Sequence, residues 1–242
     1  MKQLLIAAAS LGLAFALPVS TLAQDNAASQ PAQPTAYADL VAAMQDGIDQ
    51  EMVIDNQLAV VRSLWQADPN MVAAEAAYPG LFDAMIDAGR PIITRHSQEI
   101  QDEYRPRYVA ALAEALTEQE AARIAEFYRS PLGAKMLGGL SRTMDGRAMI
   151  EGGIANGEID MRDFDTDIRK SAGQIVGALS AQEQAELVRL FTTDPALMKM
   201  NGLQAIVLPI RAEMEKAAMA PARQKEIEAA IETAAERHIA GG

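Results

Sequence analysis

Cysteine is absent from this 242-residue chain. That excludes disulfides, thiol nucleophiles, thiolate metal sites and lipid attachment at a cleavage-site cysteine. Histidine occurs only at His96 and His238. A di-iron site in a helical bundle needs a Glu three residues before each His, and those positions hold Ile93 and Ala235. There is no H-E-x-x-H either. Cations are few, 21 Lys plus Arg against 33 acids, for a net charge of −12. Such a surface is repelled by nucleic acid and by anionic membranes, so neither is an expected partner. After residue 17 no apolar run approaches the ~20 residues that span a bilayer. Runs of β-branched residues with period two are missing, so no sheet is required.

Half of the residues are hydrophobic but only 5% are aromatic. The apolar mass is Ala, Leu, Ile and Met, all good helix formers, and the fold class expected is all-α. The N-terminus has the form of a secretory signal peptide. Lys2 gives the charge, Leu4 to Leu17 the apolar run, Pro18 the break and Thr21-Leu22-Ala23 the cleavage site. The expected mature chain begins at Gln24, exported to the periplasm or beyond, with no membrane span. Residues 24–36 are polar and contain proline, as a disordered linker does. The remainder divides into helical regions at 37–90, 91–155 and 156–242.

The most informative stretch is LTEQEAARIAEFYRSPLGAKMLGGL, Leu116 to Leu140. Thr117 and Glu120 form a capping box, in which the hydroxyl accepts from the third helical N–H and the carboxylate reaches back. Ala121, Ile124, Ala125 and Tyr128 make one apolar face with Phe127 beside it. Ser130–Pro131 then ends this helix and caps the next, because proline at the first helical position loses no hydrogen bond. Residues 178–203 restate residues 115–140: Ser180 and Glu183 repeat the box, Leu190–Phe191 the aromatic pair, Asp194–Pro195 the corner, and Lys199 repeats Lys135. A fainter copy ends at Leu64–Trp65 and Asp68–Pro69. Such periodicity predicts a recurring supersecondary unit, here stacked helical hairpins in a bundle or short solenoid.

Tyr108, the LTEQE start and FYRSPLGAKM resemble the bacterial family known as domain of unknown function two thousand and fifty-nine, with Phe127, Tyr128, Ser130, Pro131, Gly133 and Lys135 carrying the motif. The resemblance spans roughly residues 91–151. It implies an exported, all-helical protein and brings no established activity, cofactor or partner.

Elsewhere, Pro91 is expected to open a helix after a short one ends at Gly89, and Pro106 to kink or split it. Glycines between 138 and 157 weaken helix. The C-terminal helix from Ala220, rich in Ala and Glu, offers little to bury. His96, with Glu99 and Glu103 one and two turns on, reads as a polar-face histidine beside a salt bridge. Asp163, Asp165 and Asp167 match the first positions of an EF-hand loop, but Ile168 stands where glycine is required and Gln174 where glutamate is. Acids at a helix N-terminus account for them better. Ser141 lies in GLSRT, which is not the G-x-S-x-G elbow, and both nucleotide-binding glycine motifs are missing.

No catalytic residue, metal site or cofactor is therefore assigned. The motif's Tyr128, Arg129 and Lys135 are the candidate binding residues, with two cations able to donate to an anion. In the structural reading the aromatics are core, Gly133 permits close approach and Lys135 pairs with an acid. The leading functional expectation is a non-catalytic module binding envelope proteins or peptides through a groove between hairpins, where the chain's 13 methionines could adapt. The alternatives are a cell-envelope hydrolase using paired carboxylates and small-anion binding at the motif.

Overall fold

The computed structural model describes residues 35–144, 146–148, 150–151, 170–218 and 220–241. The acidic run 158–167 and the expected signal peptide lie outside them, as does nearly all of the expected linker. Among the described residues there is no strand, and the helices pack into a bundle. The chain opens with α1 (Ala36–Asp46), α2 (Gln50–Ala67), α3 (Pro69–Ala77) and the long α4 (Leu81–Ala115). Two three-helix units then share one pattern. The last turns of α4 lead into α5 (Glu118–Arg129) and α6 (Pro131–Thr143). A helix over residues 170–177, α7, leads into α8 (Ala181–Thr193) and α9 (Pro195–Ala218). The C-terminal α10 spans Pro221–Gly241.

Local chemistry sets these boundaries. Thr117 Oγ1 accepts from Glu120 N while the Glu120 carboxylate accepts from Thr117 N, and Ser180 and Glu183 repeat both bonds. Ser130 caps α6 through Gly133 N, and Asp194 caps α9 through Ala196 N and Leu197 N. Asp68 caps α3 in the same manner. The fainter first copy thus shares the Asp–Pro corner, but α2 starts at an Asp49 cap and carries no capping box. Tyr78-Pro79-Gly80 is a turn, with Gly80 at φ +91°. The Glu75 carboxylate closes it by accepting from Gly80 N and Phe82 N.

Four sequence expectations need correction. α4 neither ends at Gly89 nor restarts at Pro91, and Pro106 does not split it; it runs unbroken for 35 residues. An internal proline costs about 3 kcal/mol, and the burial of Ile93, Ile100 and Leu112 along this helix outweighs that. The boundary placed between residues 90 and 91 falls inside it. Secondly, α10 is not a marginal helix. Ile227 and Ile231 are buried against α4 and complete a core with Ile54, Trp65, Phe82 and Met85.

Thirdly, His96 does not face solvent. It is 3% exposed, and its Nε2–H donates to Glu226 on α10 at 2.8 Å, while Arg95 takes the contacts to both Glu99 and Glu226. Lastly, Gly138 and Gly139 are helical within α6. A Cβ on Gly139 would lie 3.0 Å from Ile175 Cγ1, so this glycine lets α7 cross α6.

A second core gathers α1, the end of α4, α5, α6 and α9 around Leu40, Leu116, Ile124, Phe127 and Leu197. A third, with Ile100, Tyr104, Ile210 and Met214, joins α4 to α9.

Candidate functional site

The motif lies where the two units meet. Phe127 is buried at the α5–α6 corner and meets Phe191 of the second unit edge to face, with centroids 5.5 Å apart. Gly133 is obligatory here. A Cβ would stand 2.0 Å from the Phe127 carbonyl oxygen, so the two helix backbones close the corner only over glycine. The close approach expected of Gly133 is therefore between consecutive helices.

Two lysine clamps hold the units together reciprocally. Lys135 Nζ donates to both Glu183 oxygens at 2.8 Å. Lys199 Nζ reaches the Glu120 oxygens at 2.7 and 2.9 Å. Each lysine thus binds the capping-box glutamate of the other unit. The Lys135 bond, followed by the Ser180 backbone N–H, lowers the Glu183 carboxyl to about 2. Lys199 and Thr117 lower Glu120 in the same sense. A third contact, Arg123 to Asp194 at 2.7 Å, ties α5 to the cap of α9.

Arg129 is likewise engaged within the chain. Its guanidinium donates to both carboxylate oxygens of Asp39 at 2.6 and 2.8 Å and to the Asp39 carbonyl at 3.3 Å. This bidentate pair fixes α1 on α5, and the same hydrogen bonding holds the Asp39 carboxyl below its ordinary range. At both motif cations an incoming anion would have to displace a carboxylate. Ser141, too, is structural: it is 1% exposed, and its hydroxyl accepts from Asp49 N and donates to Leu137 O.

Tyr128 differs from these residues. It packs half-buried beside Phe127, and its hydroxyl has no hydrogen-bond partner among the described residues. Burial pushes the phenol up to about 12, so it stays protonated. Tyr128 lines a half-enclosed cavity of about 260 Å³ with Leu40, Met44, Ile124, Met200 and Leu203. Sequence reasoning missed this cavity because its walls come from α1, α4, α5 and α9. Only the Met and Tyr residues hinted at it.

The matched segment coincides with one structural unit. Residues 102–144 match the model of the family described as "Uncharacterized protein conserved in bacteria (DUF2059)". The resemblance carried by FYRSPLGAKM is thereby confirmed. The match takes in the end of α4, all of α5 and α6, and Met144. It leaves out the second unit, whose caps and corner repeat those of the DUF2059 segment. No curated protein and no solved structure matches the chain. The DUF2059 description assigns no activity, so function rests on geometry.

Proposed function

We propose that this chain is an exported, non-catalytic scaffold of the cell envelope that binds an amphipathic helix of a partner protein on its second unit. One observation carries the reading. In the first unit Ala125 of α5 is fully buried, and α1 is the helix that packs most extensively on α5. Val188, which repeats Ala125, is 63% exposed, and α8 has no buried residue at all. The capping box and corner are the same in both units, yet among the described residues only the first carries a covering helix. The second unit leaves Leu187, Val188 and Phe191 only partly covered. Val176 is exposed at the end of α7, where its carbonyl accepts from the Gln184 amide.

The repeat supplies the chemistry of the occupant. α1 places Leu40, Val41, Ala43 and Met44 toward α5 and an acid at its rim, Asp39, on Arg129. On α8 Thr192 stands where the first unit has Arg129, and the exposed cation of this helix is Arg189, one turn earlier, which has no ion pair among the described residues. A partner helix with small and aliphatic residues on one face and an acid at its edge fits both features.

The reading is tested with a synthetic peptide of residues 35–47 titrated into the full chain carrying labelled valine and alanine methyls. Saturable shifts at Val188 and at the exposed Ala185 one turn earlier are expected, and Val188→Asp should abolish the Ala185 shift. Undisturbed Val188 methyls at millimolar peptide would overturn the reading. N-terminal sequencing of protein recovered outside the cytoplasm tests the export half, and the expected first residue is Gln24.

A further inference from the structure

We infer that the cavity between α1 and α9 is a binding site for a small uncharged apolar molecule of about ten heavy atoms carrying one hydroxyl or carbonyl oxygen. This goes beyond the helix-docking reading and involves a different surface of the molecule. Size is the first argument. An apolar cavity of about 150 Å³ accommodates benzene, so the 260 Å³ here suits a molecule rather less than twice that size. Wall chemistry is the second. Of the eight described lining residues seven are aliphatic or Met, and Tyr128 alone among these eight has a polar side-chain group. No Lys, Arg or His is among the described lining residues, and Arg129 next to Tyr128 is already neutralised by Asp39. A charged head group would be desolvated there without a counter-ion.

The third argument is the phenol itself. The Tyr128 hydroxyl has no protein partner among the described residues and opens onto the cavity rim, where it is free to exchange water for a ligand oxygen. A ligand oxygen would supply the missing bond. Met44 and Met200 stand on opposite walls, from α1 and α9, and their unbranched side chains can adjust to a ligand's shape. Access does not require the fold to open, because the cavity is only half enclosed.

The test uses the purified full chain with ¹³C-methyl methionine and two probes of matched size. Nonan-1-ol has a hydroxyl, and n-butylbenzene has no hydrogen-bonding group. Both are expected to shift the Met44 and Met200 methyls saturably while leaving core Met71 and Met85 unmoved. Tyr128→Phe should weaken nonan-1-ol about fivefold, the worth of one neutral hydrogen bond, and change n-butylbenzene less than twofold. Leu203→Trp, or Val207→Phe should the tryptophan variant lose helicity, should fill the space and abolish both. Absence of a saturable shift at these two methyls would overturn the site. Equal weakening of both probes by Tyr128→Phe would overturn the assigned oxygen. Success or failure here leaves the Val188 titration unaffected, so the two readings fall separately.

Discussion

Lys135 donates to Glu183 across the boundary between the two units, and Lys199 returns the same bond to Glu120. Each glutamate already accepts from the backbone N–H of its own cap, so one carboxylate serves helix start and unit docking together. Reversing one charge therefore strains both functions. Lys135→Glu is expected to lower the urea midpoint, and Lys135→Glu combined with Glu183→Lys should recover only part of the loss. The recovered part is the ion pair; the remainder is the capping box, which lysine cannot supply. Full recovery in the double variant would show that the cap contributes nothing. Because these side chains are substantially exposed, the ion-pair part should shrink in 1 M salt.

Gly133 and Gly138 lie on the same helix and should respond oppositely to alanine. At Gly133 the added carbon would overlap the Phe127 carbonyl and the Tyr128 Cα, both backbone atoms that cannot yield separately. Gly133→Ala is expected to cost about 3 kcal/mol or more, the upper range for overpacking. At Gly138 the nearest atom is the movable end of Arg142 at 3.5 Å. Gly138→Ala is expected to stabilise by roughly 0.5–1 kcal/mol through the loss of glycine's unfolded-state freedom. Equilibrium urea unfolding of the two variants measures both, and like signs would contradict the corner geometry.

α10 provides a third test. Ile227 is fully buried and Ile231 nearly so, against a core otherwise built by α2, α3, α4 and Ile150. Ile227→Ala should cost about 2–5 kcal/mol, as for other core isoleucines. Ile239→Ala, with its residue 41% exposed, should be within about 0.5 kcal/mol of the parent. A negligible effect at Ile227 would mean that α10 is not docked in solution.

These contrasts show which parts of the molecule could be read from its residues. Caps and corners are local, so Thr117, Ser130, Ser180 and Asp194 announced the helix starts correctly, and the repeat announced two similar units. Lys135 was rightly matched to an acid. Which acid could not be foreseen, because Glu183 comes close only through packing between the units. Proline and glycine misled at 89–91, where long-range burial overrides a local penalty. His96 misled similarly: Glu99 and Glu103 are near in sequence, but the side chain turns the other way, toward Glu226. The Tyr128 cavity and the bare flank of α8 were illegible, since both are defined by which distant helix arrives and which does not.

Acid should loosen the junction between units before it melts the remainder of the bundle. Hydrogen bonding to Lys135, then to the Ser180 cap, lowers Glu183 from an ordinary 4.5 to about 2, and the clamps on Glu120 and Asp39 act in the same direction. A carboxyl lowered on folding binds fewer protons in the native state than in the unfolded chain, so it contributes stability above its unfolded value. That contribution is lost as pH falls from about 4.5 toward 2, and it is unchanged between pH 6 and pH 8. The urea midpoint is accordingly expected to be flat near neutrality and to decline steeply below about pH 4.5. Lys135→Met with Lys199→Met removes the cause of two of the shifts. That variant should start lower at pH 7 and decline less between pH 4.5 and 2.5, so that the two curves converge in acid. Parallel curves would mean that the lysines do not hold these carboxylates in solution.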